Sequence, residues 1–347
     1  MEANGLANLH NARRGQAPVV NWVGDHTTWL LPHDPPLTSD IDGIASGTSR
    51  WIGRTTGVED IGTLATRAVS ESYGPTPGVS TLILHADHLE APCVASSTPP
   101  ISTVGPQYRG PDSRRLEAAI EALRGAAHPL LLLGGLATDP PALRLASRLT
   151  AAVGCSLMLE SWPRRVRREP GLPAVGRMAY FPFQARTQLA KHDAILLIGA
   201  DSPSCFFGYE GQAPSLLPDG CWCDDPTEGG LVNPHAVLEG LVAIANAPTE
   251  PAPMTPSPDL RPPRGRLNPD TTARVLAERL PDEAIVLSEG ITSSPPLYPQ
   301  LAHAGPHDFL TCKGGAIGWE IPAAIGAMTK ITRLDLGGNN LIGAIPP

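Results

Sequence analysis

The sequence predicts an α/β protein of three segments with mostly parallel sheets, the central one complete and doubly wound, the outer two truncated. Three observations lead there. Short apolar runs stop at glycines, as in HPLLLLGGLA and AILLIGAD, which is how strands buried on both faces read. Between such runs, apolar residues recur at helical spacing. Two proline-rich joints, residues 93–110 and 248–267, divide the chain.

The first segment, residues 1–92, offers strands at PVVNWVG and STLILHAD, with a helix over 58–71 between them. The central segment, residues 111–247, repeats strand, turn and helix. Leu116, Ala119, Ile120 and Leu123 mark one face of a helix that Asp112 or Ser113 caps. HPLLLLGGLA, CSLMLES and AILLIGAD are strands, and PALRLASRLTAAVG and the run from Ala185 are helices. The pattern implies a parallel sheet of about six strands. In the third segment, residues 268–328, TTARVLAERLP is a helix, AIVLSEG a strand, and GAIGWEIPAAIGAM opens another helix.

With 347 residues and 41% hydrophobic content, two or three domains with real cores are available. The net charge of −8 argues against a nucleic-acid partner. No apolar run reaches the ~18 residues of a membrane span. MEANGLANLHNARRG lacks the pattern of a secretory leader. A cytoplasmic protein with a small-molecule ligand is the expectation. None of the six cysteines forms a CxxC pair, and Cys221 and Cys223 lack two further ligands at metal-binding spacing, so reduced thiols are expected.

Two stretches carry candidate chemistry. In IVLSEGITSS, a strand ends before Ile291, Thr292 and Ser293. Ligands of open α/β sheets bind beyond such strand ends, and hydroxyls there suit phosphate oxygens. Helix capping is the other use of the same residues. In KGGAIGWEIPAAIGA, Gly314, Gly315 and Gly318 let backbone approach a ligand, with Ala316 and Ile317 between them. A loop packed against a neighbouring strand explains the same glycines. His26, after a strand in NWVGDHTTW, is a candidate substrate contact or a hydrogen-bonded surface histidine. There is no G-x-S-x-G, no G-x-G-x-x-G and no phosphate-loop lysine motif.

NGLANLHNARRGQAPVVNWVGDH and PLTSDIDGIA resemble the pyrimidine-binding domain of thiamin diphosphate enzymes. DEAIVLSEGITSS and HDFLTCKGGAIGWEIPAAIGAM resemble the start of their diphosphate-binding domain, and residues 111–247 resemble their central domain. The nearest group is the acetolactate synthase large-subunit-like one, related to benzoylformate decarboxylase. The resemblance covers residues 1 to about 328. It implies a 2-keto acid substrate, decarboxylation and carboligation, thiamin diphosphate and Mg²⁺ as cofactors, and a homodimer or homotetramer; FAD, which true acetolactate synthases bind in the central domain, is not expected here. It places Ile291, Thr292 and Ser293 at the diphosphate, Gly314 to Gly318 along the cofactor, and Asn4 and Gly5 beside the pyrimidine of a partner's site.

No residue here inherits the family's pyrimidine-facing glutamate. In LDLGGNN, Gly338 stands where the family's Gly-Asp-Gly has its Mg²⁺-binding aspartate. Catalytic and metal-ligand roles therefore have no heir, and the chain is expected to be an inactive partial enzyme. Residues 329–347 fit one leucine-rich repeat better, with Leu334, Leu336, Asn339, Leu341, Gly343, Ile345 and Pro346 in place. One repeat cannot bury its own face, so the tail reads as foreign. The alternative function is a non-catalytic fragment that binds a nucleotide or a partner subunit through its central segment.

Overall fold

The structure, a computed structural model, describes residues 2–74, 76–93, 108–249 and 266–327. Most of both joints and the leucine-rich pattern of the tail lie outside the described residues.

The first sheet has the order β1-β3-β2 and is wholly parallel. Helix α1 (Leu6–Arg14) precedes β1 (Val19–Asp25); α2 (Ile41–Ser46), β2 (Ser49–Arg54), α3 (Ile61–Tyr73), β3 (Val79–His85) and α4 (Ala86–Glu90) follow. Every residue of the central strand β3 is buried. The sequence had no apolar run to announce β2, whose SRWIGR carries two arginines and is nowhere fully buried. Asp25, Arg54 and His85, the last residues of the three strands, meet at one edge. Burial works against the charge on Asp25. Hydrogen bonds from the Arg54 guanidinium and the His26 amide, with Arg54's charge, outweigh it and hold the carboxyl below its usual range.

The central unit comprises α5 (Ser113–Gly125), β4 (Pro129–Leu133), α6 (Pro140–Val153), β5 (Ser156–Leu159), β6 (Arg165–Arg168), β7 (Gly176–Arg177), α7 (Pro182–Leu189), β8 (Ala194–Ile198), β9 (Trp222–Asp224) and α8 (Pro234–Ile244). Its sheet is parallel, five-stranded, in the order β7-β5-β4-β8-β9. Successive side chains of a strand point to opposite faces. Leu131, Leu133, Leu196 and Ile198 therefore meet α5, α6 and α8, while Leu130, Leu132, Ile195 and Leu197 meet α7. Each fully buried leucine contributes about 1.5–3 kcal/mol, and an unbroken LLLL is the only way to supply both faces. Asp112, not Ser113, caps α5, its carboxylate accepting from the Arg114 amide at 3.0 Å. β4 and β8 exit side by side. A Cβ on Gly199, whose φ is +67°, would lie 2.6 Å from the Gly134 carbonyl oxygen, so this crossing requires glycine.

The third unit holds α9 (Pro269–Arg279), β10 (Ala284–Ser288), α10 (Leu297–Gln300), β11 (His307–Thr311) and α11 (Glu320–Ala327). β10 pairs with β11 in parallel. The other partner of β11 comes from the central segment: β6, antiparallel. Arg165-Val166-Arg167-Arg168 does not read as a strand. Its charges are matched only in three dimensions. Arg165 grips Asp308 with two bonds of 2.9 and 3.0 Å, Arg167 reaches Glu283 at 2.7 Å, and Arg168 lies over the Tyr298 ring at 3.8 Å. Val166, Tyr298, Leu301 and Phe309 belong to the same core as α5, α6 and α8, so the second and third segments share one hydrophobic interior. Among the described residues no helix is long and apolar enough to cross a membrane.

Candidate functional site

β10 and β11 are parallel neighbours in register, Ser288 opposite Thr311, so the chain leaves both at one edge of the sheet. Glu289 to Ser293 follow the first; Cys312 to Trp319 follow the second. Gly315 (φ +78°) and Gly318 (φ +89°) lie in the left-handed region, which lets the second segment fold back on itself as a loop before α11.

Helix α1 locks that loop. The Asn11 Oδ1 accepts from the amides of Gly314 (3.1 Å) and Ala316 (3.3 Å), and its Nδ2 donates to the Ala316 carbonyl at 2.7 Å. His10 Nε2 donates to the Gly314 carbonyl at 2.9 Å, which assigns the proton to that nitrogen. A Cβ on Gly314 would lie 3.0 Å from the Asn11 Cα and 2.7 Å from its Oδ1. The approach of α1 thus requires glycine at 314. Asn11→Ala removes three bonds across this contact. It is expected to cost about 1–3 kcal/mol and to speed hydrogen exchange at Gly314 and Ala316. Unchanged protection of those two amides would refute the clamp.

A carboxylate closes the loop's far end. Glu289 Oε2 accepts from the amides of Gly318 (2.8 Å) and Trp319 (3.2 Å), at the entry to α11. The Glu289 amide in turn donates to the Glu320 carboxylate. Burial, together with the charge of Glu289, pushes the Glu320 carboxyl up, against the lowering effect of that hydrogen bond. The Gly315 amide is taken by the Cys312 carbonyl at 2.7 Å. Five amides between 314 and 319 are thereby satisfied by the protein itself.

Lys313, just before the loop, forms an ion pair with Glu160 at the end of β5 and approaches Asp201 at 3.5 Å. Burial pushes the Glu160 carboxyl up, and the adjacent Lys313 ammonium pulls it back.

The structure brings Gly314, Gly315, Ala316, Ile317 and Gly318 into one loop on the same sheet edge as Ile291, Thr292 and Ser293. Thr292 and Ser293 are exposed. Ile291 faces a different space, a cavity of about 520 Å³ with Trp162, Arg177, Tyr180 and Tyr298 in its walls. Asn4 and Gly5 form the helical turn ahead of α1; it is His10 and Asn11, further along, that touch the loop. His26 sits at the end of β1 with its carbonyl accepting from His85 Nδ1 at 2.9 Å. The sequence reading missed His10, Asn11 and the Glu160–Lys313 pair. Asn11 on an otherwise ordinary helix was the available signal, because a buried asparagine needs polar partners. Among the described residues, no group of three histidine, cysteine, aspartate or glutamate side chains is placed to hold a metal ion.

A diphosphate bound at this sheet edge would have to take hydrogen bonds from the N–H groups of this loop and of the α11 entry. Here they already face Asn11 and Glu289, and Glu289 brings a negative charge to the place an anion would take. In this arrangement the residues do not fit the group.

No family model matches the chain. It is 38% identical over 328 residues to the acetolactate synthase large subunit-like protein IlvX of Mycobacterium tuberculosis, which accounts for 93% of this chain and 61% of that protein. The chain thus spans about three-fifths of the curated relative it matches. Solved structures share its fold, among them the two that follow. The thiamine diphosphate-dependent 4-hydroxybenzoylformate decarboxylase of Rhodococcus jostii RHA1 aligns with a TM-score of 0.73 at 20% identity, over 94% of this chain and 64% of that one. The benzoylformate decarboxylase of Polynucleobacter necessarius aligns with a TM-score of 0.73 at 21% identity, over 93% and 63%. The chain is a homologue of the acetolactate synthase large subunit-like protein, and its fold is that of the thiamin diphosphate enzymes.

Proposed function

We propose that this chain derives from a thiamin diphosphate-dependent 2-keto acid decarboxylase or carboligase of the acetolactate synthase-like group. We propose further that, in the arrangement described, it does not turn such substrates over. The sequence identity supports the first statement. One observation carries the second: the Glu289 carboxylate 2.8 Å from the Gly318 amide, where a diphosphate oxygen would have to bind.

A carboxylate already holding two amides must leave before an anion enters, and it repels that anion while it stays. Neutralising it removes the repulsion but keeps an acceptor of similar shape. The boundaries at residues 92, 111, 247 and 268 are proposed as those of the pyrimidine-type, central and diphosphate-type units. Mg²⁺, a homo-oligomeric state and a cytoplasmic location are part of the same proposal, carried over from the resemblance.

The experiment is calorimetric titration of the 347-residue chain with thiamin diphosphate and Mg²⁺, alongside Glu289→Gln. Weak or absent binding by the natural chain and binding at least roughly tenfold tighter in Glu289→Gln is the expected result. Tight binding by the natural chain, with pyruvate or benzoylformate turnover near 1 s⁻¹ or above, on the order of ordinary enzymes, would overturn the inactive reading.

A further inference from the structure

β1 stands at an edge of the first sheet, with β3 on one side and no strand on the other among the described residues. The Val19 amide donates to the Gly78 carbonyl, so Val19, Asn21, Val23 and Asp25 turn their backbone groups toward β3. The backbone groups of alternate strand residues point to opposite sides. The amides and carbonyls of Val20, Trp22 and Gly24 therefore point out of the sheet, and none of them has a partner among the described residues. Strand side chains also alternate between faces, so these residues share one face. Val20 packs there into the cluster beneath α3. Trp22 comes next on that face and is 58% exposed.

Free strand edges are usually blunted by charge, proline or a bulge. β2, the opposite edge, carries Arg50 and Arg54 and shifts register between Ser49 and Trp51. β10, an edge of the third sheet, runs between Glu283 and Glu289, and two-fold pairing about Val286 would set those like charges against each other. β1 has none of these devices. It contains no proline, its register against β3 is unbroken, and its single charge, Asp25, is held by Arg54 of the same chain.

We propose that β1 pairs antiparallel with β1 of a second copy of this chain, about a two-fold axis at Trp22. That axis sets Val20 against the other copy's Gly24, and Trp22 against its Trp22. Residues opposed in this way exchange both backbone bonds, so every outward donor meets an outward acceptor. Directly opposed side chains lie on one face. The two indoles meet at the axis, and Gly24 leaves room beside each. Asp25 falls opposite Val19, so no charge meets its like. One strand edge and one tryptophan per copy make a small contact, under about 1,200 Å² in total, so a dissociation constant on the order of 10 μM is expected. β1 occurs once per chain, so the pairing closes at two. The inference does not rest on the proposed cofactor chemistry, because its residues lie outside the glycine loop.

The test is sedimentation equilibrium of the 347-residue chain from about 1 to 200 μM, a range that brackets the expected constant. A reversible monomer–dimer equilibrium is the expected result. Trp22→Lys places two ammonium groups at the axis, and Gly24→Pro removes an outward amide while leaving the ladder to β3 intact. Both positions are exposed, and circular dichroism establishes that the variants are folded. Each should raise the dissociation constant by roughly tenfold or more. Opposed Cα atoms about 5.5 Å apart lie within the roughly 4.4–6.8 Å reach of a disulfide. Trp22→Cys should therefore cross-link under mild oxidation, faster than the natural chain or Leu37→Cys, whose position is 83% exposed. A monomer at every concentration overturns the proposal. So does a dimer that both folded variants leave intact, assembly beyond two copies, or cross-linking of Trp22→Cys no faster than that of Leu37→Cys.

Discussion

Phe309→Ala is expected to lower the unfolding free energy by about 3–5 kcal/mol. Phe309 is the middle residue of β11 and is fully buried. Its ring packs edge-on against Tyr298, with centroids 5.0 Å apart, and the Arg177 guanidinium lies 5.3 Å from its centre. Both neighbours are pinned: the Tyr298 hydroxyl donates to the Val175 carbonyl at 3.1 Å, and Arg177 belongs to β7. The walls cannot collapse into the space an alanine would leave. Because Phe309 belongs to the core that joins the second and third segments, the loss should appear in one transition common to both. Urea unfolding followed by two probes, one in each segment, measures it. A loss under about 1 kcal/mol, typical of surface changes, or two separate transitions would show that the shared core does not exist.

Lys313→Met should cost about 3–5 kcal/mol at neutral pH, the usual penalty for stranding one partner of a buried pair. The Glu160 side chain is 7% exposed and that of Lys313 is 17% exposed. Burial already drives the Glu160 carboxyl upward, and the substitution removes the ammonium that opposes it. A carboxyl whose folded pKa is raised binds its proton more readily in the folded state than in the unfolded one. Its contribution to stability is therefore fully present below the unfolded value, about 4.3, and is lost as pH rises through the folded value. The penalty of Lys313→Met should shrink as pH falls from 7 toward 5. Glu160→Gln added to Lys313→Met should recover much of the loss at pH 7, since no charge is then left buried. A penalty independent of pH, unrelieved in the double variant, would locate the effect in packing instead of charge.

Both results would also bear on what reading the chain as a string can achieve. HPLLLLGGLA and AILLIGAD were legible as strands because both faces of a parallel strand are covered, and only an unbroken apolar run meets that need. The glycine loop was legible because three glycines in five residues have few other uses. β6 was not. Three arginines around one valine look like a solvated loop until Asp308 and Glu283 are brought to them from elsewhere in the chain. β2 was hidden for a similar reason, since its arginines pair with Asp25 and Asp42 or bind backbone. The site divides in the same way. Residue type singled out Thr292, Ser293 and Gly314–Gly318 as candidates, but not what takes the amides of the glycine loop, because Asn11 lies some three hundred positions away.

By itself the sequence determined the α/β class, the central parallel sheet with its two apolar faces, and the glycine loop that opens α11. These follow from local periodicity and from backbone conformations only glycine tolerates, and both are written in neighbouring residues. The tertiary structure alone decided that β6 would join the third sheet, that Asn11 and Glu289 would take the loop's amides, and that β1 would stand at a sheet edge. Those outcomes depend on which distant charges and hydrogen-bonding groups meet. Pairing of that kind has no period and no spacing along the chain, so it exists only once the chain has folded.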